Sequence, residues 1–294
     1  MSEQKLEIFN VLNFLNNGYD LEDILNEGNF GTFESGQACV DYLVGEGYLA
    51  GEGSGALTAE EISKKYTVAD LKALLKENGL KVSGKKQELV ERIMSVLNDG
   101  APTGDFELTD KAMEFLEENE WIDLYMFALV AFRFEDYETY VKSVGNGSVQ
   151  TAHDFCDEIL SKALIANQFL IFIDALTAKA HVFAYEKDYD SFLDYDLQRY
   201  ILGLNPIVMD PQTYATYDVI DVANIVNLRN VLEKLEMGSL KKRFDRIWAK
   251  SNIKSITVPK KSCYKILQKA IDGADIEELN FDLKEKYFNK KFGI

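Results

Sequence analysis

Residues Tyr66–Leu97, YTVADLKALLKENGLKVSGKKQELVERIMSVL, leave this chain little choice of local fold. Val68, Leu71, Leu74 and Leu75 recur at three- and four-residue steps, the apolar stripe of a helix. Gly79 follows Asn78 where such a helix needs a left-handed C-terminal cap. Leu80 and Val82 are placed to close the underside of a pair. Ser83 is a candidate N-cap for a second helix striped by Leu89, Val90, Ile93 and Leu97. The spacing therefore predicts two short helices joined by a polar loop over 79–84. Lys85 and Lys86 then fall in the first turn of the second helix. A cation is disfavoured at that end, because the helix dipole is positive there. Two ammonium groups beside unsatisfied backbone N–H groups make an anion site that suits phosphate.

Charge sets a condition on that reading. The 294 residues carry a formal net charge of −17, and a uniformly acidic surface would repel a polyanion. The charge is unevenly placed. From Glu60 to Leu97, eight basic residues stand against six acidic ones. From Ser239 to Ala270, ten basic residues stand against Asp245 alone, which leaves about −28 on the rest. Polarity of that kind bears on partner choice.

The leucine-striped helix, Gly79-Leu80, Ser83-Gly84-Lys85-Lys86 and Leu89-Val90-Glu91-Arg92-Ile93 together resemble a SAP domain. The resemblance implies a helix–extended loop–helix module that binds double-stranded DNA, often AT-rich, with little base specificity. Position by position it implies that Gly84, Lys85, Lys86 and Arg92 face DNA, with Lys81 and Ser83 beside them. Leu71, Leu75, Leu80, Leu89 and Ile93 would form the core. The plainer alternative is a helical hairpin whose lysines are a solvated face.

The N-terminal region reads as three helices. Leu6, Phe9, Leu12 and Phe14-Leu15 stripe the first, which ends near Asn16-Asn17-Gly18. Asp20 can cap a second over 21–26, and Ser35 a third through Val44. A short strand candidate follows at Tyr48-Leu49-Ala50. This order resembles the core of a winged helix. The second wing strand would be Phe106-Glu107-Leu108-Thr109, with a helix after it, more than fifty residues late. The interval is Gly-rich at both ends, GEGSG and DGAPTG, and holds the hairpin. The hairpin is therefore expected as an insertion at the wing tip, where added length costs little. Otherwise 1–57 is an independent helical cap. The proposed recognition helix offers Glu34 and Asp41 with no Lys or Arg, which favours scaffold over DNA reader.

From about Glu120 onward the pattern is helical throughout. Helices are expected over Trp121–Phe132, Phe134–Val144, Ser148 or Thr151 to Asn167, Phe169–Lys187, Tyr189–Leu202, Asp210-Pro211 to Met237, Leu240–Lys250, and Pro259–Ile271. Lys241, Lys242, Arg243, Arg246 and Lys250, then Lys260, Lys261, Lys265 and Lys269, lie outward of apolar stripes. They form either a second phosphate surface or the counter-charge for the acidic remainder, within one chain or between copies.

Catalytic patterns are scarce. His153 and Cys156 are an ordinary i, i+3 pair with no second soft ligand beside them. Asp188, Asp190, Asp194 and Asp196 read as a solvated face rather than a metal site. No phosphate loop, dinucleotide fingerprint or nucleophile elbow occurs. Three scattered cysteines suit a reducing cytoplasm, and the apolar run Phe169–Ile173 is far too short to span a bilayer.

The expected protein is mainly α. It has a winged-helix-like unit over 1–57 and 104–118, a SAP-like hairpin over 58–98, and a helical domain over 119–294. The expected function is non-enzymatic binding to the backbone of double-stranded DNA, with no cofactor, no metal and no membrane contact. The arrangement resembles SAP-domain proteins of Gram-positive bacteria and their phages, which implies phage or mobile-element DNA biology. The alternative is an acidic protein-binding module, a nucleic-acid mimic that engages a basic protein. Self-association into a homo-oligomer is compatible with either.

Overall fold

Helix dominates wherever the chain is described. The structure is a computed structural model covering residues 2–19, 21, 31–50, 62–64, 66–97, 106–205, 218, 220–235, 240–251, 253 and 256–292. It divides into two compact units, 1–120 and 121–294. The helix expected from Asp20, the Gly-rich tethers and the Asp210-Pro211 start lie outside the described residues.

In the first unit, α1 (Ser2–Asn16) buries Ile8, Phe9, Val11 and Leu12. It stops at Gly18, whose φ of +83° is the left-handed cap that glycine adopts without strain. Helix α2 (Gly36–Gly45) begins as expected, with the Ser35 side chain accepting from the Ala38 N–H. Strands β1 (Leu49–Ala50) and β2 (Glu107–Leu108) then pair antiparallel, Leu49 opposite Leu108, with residues 51–106 between them in sequence. Thr109 secures this join. Its hydroxyl donates to the Gly47 carbonyl at 2.7 Å, while the same side chain caps α5 (Asp110–Glu118). Between the strands in sequence stand α3 (Val68–Glu77) and α4 (Lys86–Leu97).

The second unit begins with α6 (Trp121–Leu124) running into a π-helical turn over Tyr125–Leu129. The single helix expected to Phe132 is cut short there, and the Tyr125 hydroxyl donates to the Phe132 carbonyl at 2.8 Å. Then come α7 (Phe134–Val144), α8 (Val149–Ile165), α9 (Phe169–Tyr185) and α10 (Tyr189–Leu204). Ser148 rather than Thr151 is the cap of α8. Helices α8 and α9 end two residues before the expected points, because Asn167 and Lys187 take φ of 56° and 64° and reverse the chain.

Helix α11 (Val222–Lys234) is capped by Asp221, well beyond the expected start. It is followed by α12 (Leu240–Lys250), α13 (Lys260–Ile271), α14 (Ile276–Leu283) and a π-helical turn over Lys284–Phe288. Helices α10 to α14 share one core, built on Leu197, Tyr200, Ile201, Phe244, Leu267 and Leu283. Buried amides hold its loops in place. Asn205 accepts from the Thr257 and Val258 N–H groups, and Asn280 exchanges two hydrogen bonds with the Ile220 backbone. Both buried amides are thereby satisfied, which avoids the cost of leaving them unpaired. Among the described residues no helix is long and apolar enough to cross a membrane.

Candidate nucleic-acid interface

The geometry of the hairpin follows from its caps. Thr67 and Asp70 form a reciprocal capping box at the start of α3. Its end is a Schellman motif, with the Leu80 N–H donating to the Leu75 carbonyl at 2.7 Å and the Gly79 N–H to Lys76 at 3.2 Å. Gly79 sits at φ +68°, as the sequence requires. Leu71, Leu75, Leu89, Val90 and Ile93 are buried between the helices, and Leu80 packs against them. Ile62, four residues before the hairpin, completes this core. Each such side chain contributes about 1.5–3 kcal/mol by burial, which lets so short a segment keep a fixed shape. Val68 and Val82 are exposed rather than packed. The side chain of Leu97 lies outside the described residues.

The loop differs from expectation at Ser83. Gly84 takes φ +143°, outside helical geometry, so α4 cannot begin beside a Ser83 cap. It begins at Lys86, and its first internal bond runs from the Leu89 N–H to the Lys85 carbonyl at 3.1 Å. The N–H groups of Lys86, Gln87 and Glu88 are thus left without intrahelical partners. Lys81, Ser83, Gly84 and Lys85 are exposed beside that helix start.

Lys86 and Arg92 are half-buried and already engaged. Lys86 Nζ donates to the Ser63 carbonyl at 2.7 Å. Arg92 Nη1 donates to the Lys81 carbonyl and to that of Ser83, the latter at 3.2 Å. The guanidinium braces the loop from behind. Neither role was visible in the sequence, since both depend on where the loop carbonyls point. Glu88 was missed too. Its carboxylate curls over Gly84, so that a Cβ there would come within 2.6 Å of Oε2.

Residues 63–98 match the SAP domain family. The chain carries a SAP domain. No curated protein and no solved structure matches the chain. The SAP domain is a DNA-binding module, and its match supports a DNA-binding role for this chain.

The second basic segment is split by its partners. Arg243 bonds both Asp190 and Asp194, and Arg246 Nη2 lies 2.6 Å from Asp194. Asp245 bridges Lys241 and Lys260, the latter at 2.7 Å. Lys242, Lys250, Lys261, Lys265 and Lys269 make no ion pair among the described residues. The aspartate run on α10 is accordingly a solvated face only in part: Asp188 and Asp190 are exposed, Asp194 is half-buried and Asp196 is buried. Asp188 caps α10, Asp190 and Asp194 neutralise the arginines of α12, and Asp196 is buried against Arg199 Nε at 2.9 Å. Helical spacing put these carboxylates together, but only the fold could show what covers them.

His153 and Cys156 share α8, yet burial pushes the Cys156 thiol up to about 12, away from nucleophilic character. His153 Nε2 instead meets a Glu186 carboxylate oxygen at 2.8 Å. Among the described residues no group of three His, Cys, Asp or Glu could hold a metal ion.

Proposed function

We propose that this protein is a non-enzymatic binder of double-stranded DNA that grips the sugar–phosphate backbone through its SAP domain. The observation that carries the proposal is the match over 63–98, joined to exposed Lys81 and Lys85 beside three unsatisfied N–H groups of α4. A helix N-terminus flanked by two ammonium groups binds a phosphate with charge-assisted hydrogen bonds. Ser83 and Gly84 let the backbone approach closely. Lys86 and Arg92 act mainly as positioning residues, holding the loop in the shape that presents the lysines. Such contacts carry little base information.

In this reading the SAP domain, 58–98, is inserted at the tip of a winged-helix-like unit formed by 1–57 and 104–118, ahead of a helical domain over 119–294. The pairing of β1 with β2 across residues 51–106 supports the insertion. Three free, buried cysteines support a reducing cytoplasm. Resemblance to SAP-domain proteins of Gram-positive bacteria and their phages supports a setting in phage or mobile-element DNA.

A second reading, docking of a basic protein, is favoured by exposed Leu164, Ile165, Leu170 and Ile171 at the α8–α9 turn of an acidic chain. A gel shift with duplex DNA at low salt separates the two. The Lys81→Ala, Lys85→Ala variant loses retention if the DNA reading holds. Unchanged retention would remove the SAP domain from the contact.

A further inference from the structure

Three lysines line one concavity in the second unit. A cavity of about 150 Å³ lies between α13 and the segment running from α14 into the turn after it. Lys265 and Lys269, one turn apart on α13, line one wall, and Lys286 lines the other. None of the three makes an ion pair among the described residues. Elsewhere in this unit Lys142, Lys162, Lys179, Lys241, Lys260 and Lys284 hold carboxylates, while Lys242, Lys250 and Lys261, like the cavity lysines, hold none among the described residues. A chain with a net charge of −17 has carboxylates to spare for such pairing. Three lysines against a single lining carboxylate, Asp282, leave the cavity wall with an excess of positive charge, which suits an external anion.

The site is braced. Arg229 donates to the carbonyls of Ala270 and Ile271 at 2.5 and 2.8 Å, fixing the C-terminal end of α13. Buried Leu279 and Leu283 form part of the floor, and Ser262 supplies a hydroxyl at the wall. Compact size and surrounding charge decide the ligand class. Asp272, Asp275, Glu277, Glu278, Asp282 and Glu285 are exposed along the same segment and would repel an extended polyanion such as duplex DNA. A small anion can enter between them. With three lysines against the one lining carboxylate of Asp282, a hydroxyl and an apolar floor, we infer that this cavity binds the phosphate group of a small phosphorylated ligand. Free phosphate and a nucleotide share that chemistry.

Calorimetric titration of the full chain with inorganic phosphate and, separately, with AMP tests the inference. Saturable binding of either is expected, and tighter binding of AMP would show that the apolar floor holds part of the ligand. The Lys265→Gln, Lys269→Gln, Lys286→Gln variant should weaken binding by about tenfold or more, the loss expected for charge-assisted hydrogen bonds. A control with the same charge change, Lys242→Gln, Lys250→Gln, Lys290→Gln, should keep it. Equal loss in the control, or no saturable binding of phosphate or AMP, overturns the site. So does a case in which neither small anion binds but the triple variant weakens duplex DNA binding, since the lysines would then serve DNA.

Discussion

Replacing Lys81 and Lys85 together with alanine should change how DNA binding responds to salt, and by a calculable amount. If Lys81, Lys85 and the N-terminus of α4 contact three phosphates, the log–log slope of affinity against salt is about −2.7. Raising salt from about 50 to about 200 mM then weakens wild-type binding about 40-fold. Removing two contacts leaves a slope of about −0.9 and a loss of only about 3.5-fold over the same range. Fluorescence anisotropy of a labelled duplex at several salt concentrations reads both. Arg92→Ala provides the contrast. Its guanidinium holds the carbonyls of Lys81 and Ser83, so its loss should lower affinity by loosening the loop while leaving the slope within about 0.3 of wild type. A double lysine variant with an unchanged slope would refute the phosphate count. A slope in Arg92→Ala lowered by a full contact would refute the brace.

The Glu88→Gln variant should bind DNA about two- to fivefold more tightly, because the carboxylate over Gly84 occupies the space a phosphate would use. Anisotropy at low salt would show it. Gly84→Ala should destabilise the hairpin by about 1–3 kcal/mol, since φ is +143° there. Hydrogen exchange over residues 66–97 would register the change. Acid should loosen the caps. Hydrogen bonding to Thr67 lowers the Asp70 pKa and bonding to Ser191 lowers that of Asp188, while bonds from Lys241 and then Lys260 lower that of Asp245. Each stabilises the fold fully above the ordinary value of 3.8 and loses that contribution as pH falls below it. Thr67→Ala should flatten this acid response in α3 when followed by circular dichroism.

Much of the hairpin was legible because its determinants are near neighbours. The leucine stripe, the Asn78-Gly79 stop and the Ser35 cap of α2 each rest on contacts within four or five residues. Even here Ser83 misled, since one glycine at φ +143° moves the helix start by two residues without altering the pattern of side chains. The aspartates of α10 misled for a related reason. Their spacing was plain, but their partners Arg243 and Arg246 are some fifty residues away in sequence.

By itself, then, the sequence determined that the chain is mainly helical, that Tyr66–Leu97 makes a leucine-packed pair of helices, and that cations cluster at the start of the second. Periodicity and capping are local chemistry and need no knowledge of the rest of the chain. Only tertiary structure decided which cations remain available. Lys86 turns back to Ser63, Arg92 braces a loop and Arg243 meets Asp190, whereas Lys81 and Lys85 stay exposed beside unsatisfied N–H groups. Charge at a position is written in the residue, but its partner is chosen by distance, and distance is set by the fold.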